Sequence, residues 1–155
     1  MATAQLVDLT INGEEHEVRA DGATTLLDVL RDQLQLNGAK RGCNQGVCGA
    51  CNILLDGQAV RACLVVAGTA EGREITTIEG LERDGELSPV QQAFLDTGAV
   101  QCGFCMPGMV ISAEALVQAN ATAGVEEIRE AISGNLCRCS GYVKVIDAVR
   151  SVTGG

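Results

Sequence analysis

The sequence predicts an α+β chain in two parts: a small sheet crossed by one helix, then an all-helical half. Three observations carry this. Residues 4–20 alternate apolar and polar side chains on either side of Asn12-Gly13, the period-2 pattern of a hairpin. A charged stretch at 79–88 (EGLERDGELS) contains two glycines and reads as a linker. Beyond it the apolar spacing changes to a helical period.

The elements follow in order. Strands are expected at about 4–11 and 14–19, because Asn-Gly readily takes the positive φ that a two-residue turn requires. Residues 25–36 (TLLDVLRDQLQL) set Leu26, Leu27, Leu30 and Leu34 at helical spacing. Thr24 or Thr25 can cap the start of that helix, and Asn37-Gly38 can end it. A glycine-rich stretch, 38–51, leads into an apolar run at 52–55, the turn Asp56-Gly57, a return run at 58–66 and a strand near 74–78. Together these make an α+β half with the glycine-rich loop at one edge. In the second half, Ser88-Pro89 supplies an N-cap and a first-turn proline for a helix over 89–97. Pro107 opens a helix over 107–119, and amphipathic spacing marks two more at 125–133 and 143–152. The sequence holds no internal repeat and no low-complexity segment.

Composition bounds the function. The net charge of −9 over 155 residues argues against nucleic-acid binding and against adsorption to an anionic membrane. No apolar run reaches the length of a membrane span, so no membrane insertion is expected. Aromatics are 2% and Trp is absent, so the interior must be built from Ala, Val, Leu and Ile. Cores of that kind in halves of about 80 residues are marginal, and a bound metal centre helps to hold them. The first residues lack a basic region, an apolar stretch and a twin arginine, so a cytoplasmic location is expected. There thiols are kept reduced, which favours ligands over disulfides.

The eight cysteines form two groups with unlike spacings: Cys43, Cys48, Cys51 and Cys63 (C-x4-C-x2-C-x11-C), then Cys102, Cys105, Cys137 and Cys139 (C-x2-C-x31-C-x-C). The first matches the C-x4-C-x2-C spacing of plant-type [2Fe–2S] centres. Four thiolates per group, twice, is the ligand count of two iron–sulfur clusters, which implies an electron carrier. Gly42, Gly46 and Gly49 suit a loop that turns sharply and aims N–H groups at sulfur. Arg41, Arg61 and Arg138 offset negative charge near the cysteines on one reading and are solvated surface groups on another. Zinc stands as the alternative metal, although structural zinc sites usually present two short pairs and neither group repeats that pattern cleanly. A thioredoxin-like role for Cys102 and Cys105 leaves Cys137 and Cys139 without a purpose. His16 lies on an expected strand and reads as structural; Glu126, Glu127 and Glu130 read as a solvated helix face. No general acid, base or nucleophile is nominated.

Three strings add a resemblance: RGCNQGVCGAC at 41–51, QCGFCMPGM at 101–109 and GNLCRCSGY at 134–142. With all eight cysteines in order, the chain resembles, over about residues 5–150, the iron–sulfur subunit of the molybdenum hydroxylases (the xanthine oxidase family). The resemblance implies a β-grasp ferredoxin-like domain at 1–78, a linker at 79–88 and a four-helix [2Fe–2S] domain at 89–155. It implies that Cys43, Cys48, Cys51 and Cys63 hold the plant-type cluster, and that Cys102, Cys105, Cys137 and Cys139 hold the second. It places Gln101 and Cys139 toward the pterin of a molybdenum cofactor on a large partner subunit. Electrons then leave through the two clusters to FAD on a medium subunit, in a heterotrimer, or to an external acceptor. Ser140 and Asn52 stand where the family usually has Thr. A free two-cluster ferredoxin is the competing reading; a subunit, unlike a free carrier, should expose an apolar patch around 101–109 and 137–142.

Overall fold

The computed structural model describes residues 3–154. Strands β1 (Gln5–Ile11) and β2 (Glu14–Ala20) pair antiparallel from Gln5↔Ala20 to Ile11↔Glu14. Asn12 and Gly13 both take positive φ, 54° and 82°, as the mirror-image hairpin turn demands. Val7, Leu9, Ile11, Val18 and Ala20 fall on the buried face.

The helix expected over 25–36 is shorter and wider. Thr25 and Asp28 form a capping box that starts α1 (Leu26–Asp28), which runs directly into a π-helical turn, Val29–Gln33. The Leu34 N–H donates to Val29 O (3.1 Å), five residues back, and Gln35 with φ 59° turns the chain away. Leu26, Leu27, Val29 and Leu30 are all fully buried.

Strands β3 (Asn52–Leu55), β4 (Gln58–Arg61) and β5 (Glu74–Thr76) complete a five-stranded sheet of order β2-β1-β5-β3-β4. The β1–β5 pair is parallel and the other pairs are antiparallel. The return run expected over 58–66 stops being a strand at Arg61. Cys63 lies in the turn beyond, and the run rejoins the first half through an isolated bridge between Thr25 and Val66.

Four helices follow: α2 (Pro89–Asp96), α3 (Met106–Ala119), α4 (Val125–Ile132) and α5 (Val143–Thr153). Ser88 caps α2 and forms a reciprocal capping box with Gln91. The stretch expected to be a linker is partly structured. A 3-10 turn at Ile78–Leu81 puts Leu81 into the helical core, and Arg83 and Glu86 bridge across Asp84-Gly85.

Two apolar cores result, and β3 joins them. Ile53 and Leu55 belong to the core beneath α1, while Leu54 belongs to the core built from α2–α5. Alternation along one strand therefore buries side chains in both halves, and α3 packs directly on the sheet.

Candidate metal centres

The loop between Lys40 and Asn52 is shaped around its cysteines. Asn44, Gly46 and Gly49 take positive φ, at 55°, 74° and 70°. Gly42 does not; its role is space, because a Cβ there would sit 2.9 Å from Cys48 Sγ. With the loop so turned, the N–H groups of Gln45, Val47 and Cys48 converge on Cys43 Sγ at 3.4, 3.3 and 3.4 Å. These donors, that of Cys48 foremost, hold the Cys43 thiol down at about 6. Cys51 behaves oppositely: burial pushes it up to about 11.

The second group is made by the turn before α3 and the loop 134–142. Burial raises Cys137, but the Ser140 hydroxyl (3.1 Å), the Ser140 N–H (3.2 Å) and the Cys139 N–H (3.4 Å) all donate to its sulfur and bring it down to about 7. Ser140 thus keeps the hydroxyl that Thr would supply. Cys105 is buried and pushed up to about 12. Tyr142, itself at φ 69°, braces this loop: its hydroxyl accepts from the Cys137 N–H (2.8 Å) and donates to Asn135 O (3.1 Å).

The thiols of each group lie near enough to influence one another: Cys43 and Cys48, and Cys51 with Cys63 and Cys48, in the first, and Cys105 with Cys137 and Cys102, and Cys139 with Cys102, in the second. A [2Fe–2S] group takes four cysteine thiolates, and four thiols per group with N–H donors aimed at Cys43 Sγ and Cys137 Sγ fit it.

The two cysteine loops touch. Leu136 N–H donates to Cys48 O at 2.9 Å. A Cβ on Gly49 would lie 2.5 Å from Gly134 O, and one on Gly108 would run into Gly49 O. Asn52 Nδ2 donates to Ser112 Oγ (2.9 Å), Ser112 Oγ to Asn135 Oδ1 (2.8 Å), and Asn135 Nδ2 to Gly49 O (3.2 Å). Sequence reasoning missed Ser112, Asn135 and Tyr142 as supports; Asn135 and Tyr142 lie inside a quoted string, whereas nothing in the sequence marks Ser112.

The three arginines separate. Arg41 ion-pairs with Asp28 (3.0 Å) and Asp32 (2.9 Å), tying the loop to the first helix. Arg61 donates to Gly134 O (3.1 Å) across the seam, with its Nε buried and unpartnered among the described residues. Arg138 is exposed. His16 sits on β2 with Glu14 at ion-pair distance (4.0 Å).

Gln101 and Cys139 come together on the surface, with Gln101 Nε2 donating to Cys139 O (3.2 Å). Cys102 and Cys139 are the exposed thiols. Phe104 at 49% and Leu136 at 55% exposure flank them, and Val143 is exposed at the start of α5. Exposed Val47 and Leu64 mark the other cysteine loop. No helix among the described residues is long and apolar enough to cross a membrane.

Comparison with known proteins matches both loops. Residues 9–84 match the family described as "2Fe-2S iron-sulfur cluster binding domain", and residues 77–150 the "[2Fe-2S] binding domain" family. The small subunit of nicotine 6-hydroxylase from Paenarthrobacter nicotinovorans is 49% identical over 148 residues, covering 96% of this chain and 89% of that one. Among solved structures, quinoline 2-oxidoreductase from Pseudomonas putida 86 superposes with a TM-score of 0.93 at 41% identity, covering 98% of this chain and 94% of the matched chain. Aldehyde oxidoreductase from Desulfovibrio gigas superposes with a TM-score of 0.91 at 43% identity, covering 97% of this chain but 17% of that longer one.

Proposed function

Since the chain belongs to the iron–sulfur subunits of the molybdenum hydroxylase (xanthine oxidase) family, we propose a residue-level assignment of its electron path. Cys43, Cys48, Cys51 and Cys63 hold one [2Fe–2S] centre, and Cys102, Cys105, Cys137 and Cys139 hold the other. The chain is the electron-transfer subunit of an oxidoreductase complex. When bound, each centre supplies a one-electron carrier; the protein sets its potential and position. The observation that carries the assignment is the convergence of backbone N–H donors on a cysteine sulfur in each group, three on Cys43 Sγ and two on Cys137 Sγ.

The residues of this chain do three things. Backbone N–H groups aimed at Cys43 and Cys137 stabilise sulfur in its anionic, ligating form. Buried walls at Cys51, Cys63 and Cys105 exclude water. The contact between Leu136 and Cys48 fixes one loop against the other.

The chain works with partner subunits. In the proposed arrangement Gln101 and Cys139 face the pterin of a molybdenum cofactor on a large subunit, beside the apolar surface of Phe104 and Leu136. The surface around Val47 and Leu64 takes an FAD-bearing medium subunit or an external acceptor. The heterotrimer, the division into 1–78, 79–88 and 89–155, and a cytoplasmic location belong to the same proposal. Exposed apolar side chains beside the second group, and a match along most of the length of a small subunit, weigh against a freely diffusing carrier.

The test is electron paramagnetic resonance of the reduced protein. Two distinct [2Fe–2S] signals are expected, with Cys43→Ser or Cys48→Ser abolishing one and Cys105→Ser or Cys137→Ser the other. Loss of both signals in every single variant contradicts the assignment, and colourless protein with stoichiometric zinc refutes it.

A further inference from the structure

We infer that Ser112 and Asn135, both in the helical half, are positioning residues for the cysteine loop of the other half: they clamp residues 49–52 between Cys48 and β3. The inference deepens the assignment above, since it takes Cys48 and Cys51 to be ligands.

The clamp is a single directed chain of hydrogen bonds. It runs from Asn52 Nδ2 to Ser112 Oγ (2.9 Å), on to Asn135 Oδ1 (2.8 Å), and from Asn135 Nδ2 to Gly49 O (3.2 Å). Asn52, Ser112 and Asn135 are 5%, 5% and 2% exposed. The links span 60, 23 and 86 residues of sequence, so none is a local turn or cap. Burying three polar side chains costs desolvation that apolar ones would avoid, and a connected network of this kind specifies geometry more than it adds stability.

Its two ends show which geometry is specified. One end takes the carbonyl of Gly49, the residue after Cys48. The other takes the side chain of Asn52, the residue after Cys51. Gly49 is in the left-handed region, and its carbonyl also accepts from Asn52 N–H (3.1 Å). Ser112 thus ties both ends of the segment that carries Cys51, one directly and one through Asn135, although it lies on α3 and its hydroxyl bonds to asparagines rather than to a cysteine. A second tie, Leu136 N–H to Cys48 O, acts on the same loop from beside Asn135. The consequence is directional: a change in the helical half should be felt at the centre held by Cys43, Cys48, Cys51 and Cys63.

The experiment uses the full chain expressed with its partner subunits, challenged with a chelator in mild urea and followed by paramagnetic resonance. In Ser112→Ala, the signal that Cys48→Ser abolishes should decay roughly tenfold faster than in wild type, the scale set by stranding a buried polar group. The signal that Cys137→Ser abolishes should decay at the wild-type rate. Asn52→Leu, which cuts the chain at its other end, should give the same selective pattern. Ser112→Thr keeps the hydroxyl and should restore the wild-type rate. Equal acceleration of both signals, as general destabilisation would give, overturns the clamp, and so does unchanged decay of the first. A wild-type protein without two [2Fe–2S] signals defeats the assignment itself, a failure visible before any variant is made.

Discussion

Gly108→Ala tests the seam most directly, because ordinary helix energetics predict the opposite sign. Gly108 lies in the first turn of α3 and is buried. Replacing an interior helix glycine by alanine normally gains up to about 1 kcal/mol. Here the new methyl would run into Gly49 O, with Gly49 C at 3.1 Å and Ala50 Cα at 3.2 Å behind it. These are backbone atoms, and Gly49 O is already held by the Asn52 N–H and by Asn135. Neither side can rotate away, so α3 and the loop must part by an ångström-scale shift. Overpacking of this kind costs about 1–3 kcal/mol, occasionally more. Because the obstacle is backbone, the upper part of that range applies, about 2–3 kcal/mol; less a helix gain of about 1, the net expectation is a loss of about 1–2 kcal/mol, with the hydrogen bond from Asn135 weakened as well. Gly68→Ala is the control, since a Cβ there meets nothing within 4 Å. It should stay within about 0.5 kcal/mol. Urea unfolding of the cluster-loaded chain, followed by circular dichroism, reads both. A neutral or stabilising Gly108→Ala would refute the close approach of α3 to the cysteine loop.

Ser140→Ala removes the hydroxyl donor to Cys137 Sγ (3.1 Å); hydrogen bonds to sulfur raise the potential. A redox titration should show the second centre shifted to lower potential, with Ser140→Thr unchanged. Tyr142→Phe strands the Cys137 N–H and Asn135 O. It should cost about 1–3 kcal/mol and speed loss of the second signal more than the first. In the metal-free chain, timed alkylation read by mass spectrometry should modify Cys43 and Cys137 first. Their thiols are held at about 6 and about 7, so the thiolate, and with it the rate, rises as pH increases through those values. Cys51 and Cys105, pushed up to about 11 and about 12 by burial, should stay protonated and slow at pH 8. Equal rates for all four would contradict the loop geometry.

The features legible in the sequence are those whose cause is local. Asn12-Gly13 turns because its own backbone permits it, and Ser88-Pro89 starts a helix because the cap lies within three residues. The cysteine spacings and the family strings are likewise local, and they carry the assignment of both centres. The helix at 25–36 is misread because four apolar residues at helical spacing fit an α-helix and a π-helical turn equally well. Leu34 bonding back to Val29 decides between them, and that bond answers to core packing. Within the charged stretch at 79–88 nothing in the sequence marks Leu81, a single apolar residue among charges, yet it is buried in the helical core. Ser112 is invisible for a stricter reason. A serine on an apolar helix face has no periodic signature, and its partners lie 60 and 23 residues away.

The unlike spacings of the cysteine groups conceal a like construction. In each, hydrogen-bond donors lower one thiol: backbone N–H groups at Cys43 in the first, and the Ser140 hydroxyl with the Ser140 and Cys139 N–H groups at Cys137 in the second. In each, a partner thiol is buried and strongly raised, Cys51 and Cys105. Exposure then gives the pair of centres a polarity. Cys102 and Cys139 are open to solvent beside Gln101, whereas Cys105 is buried on the inner side. Leu136, next to Cys137, bonds to the carbonyl of Cys48, so the inner side of the second group abuts the first loop. A carrier that only exchanged electrons with diffusing partners would need one exposed centre. Two centres, packed loop against loop with the outer end of the second left open, suit a subunit of a larger oxidoreductase complex.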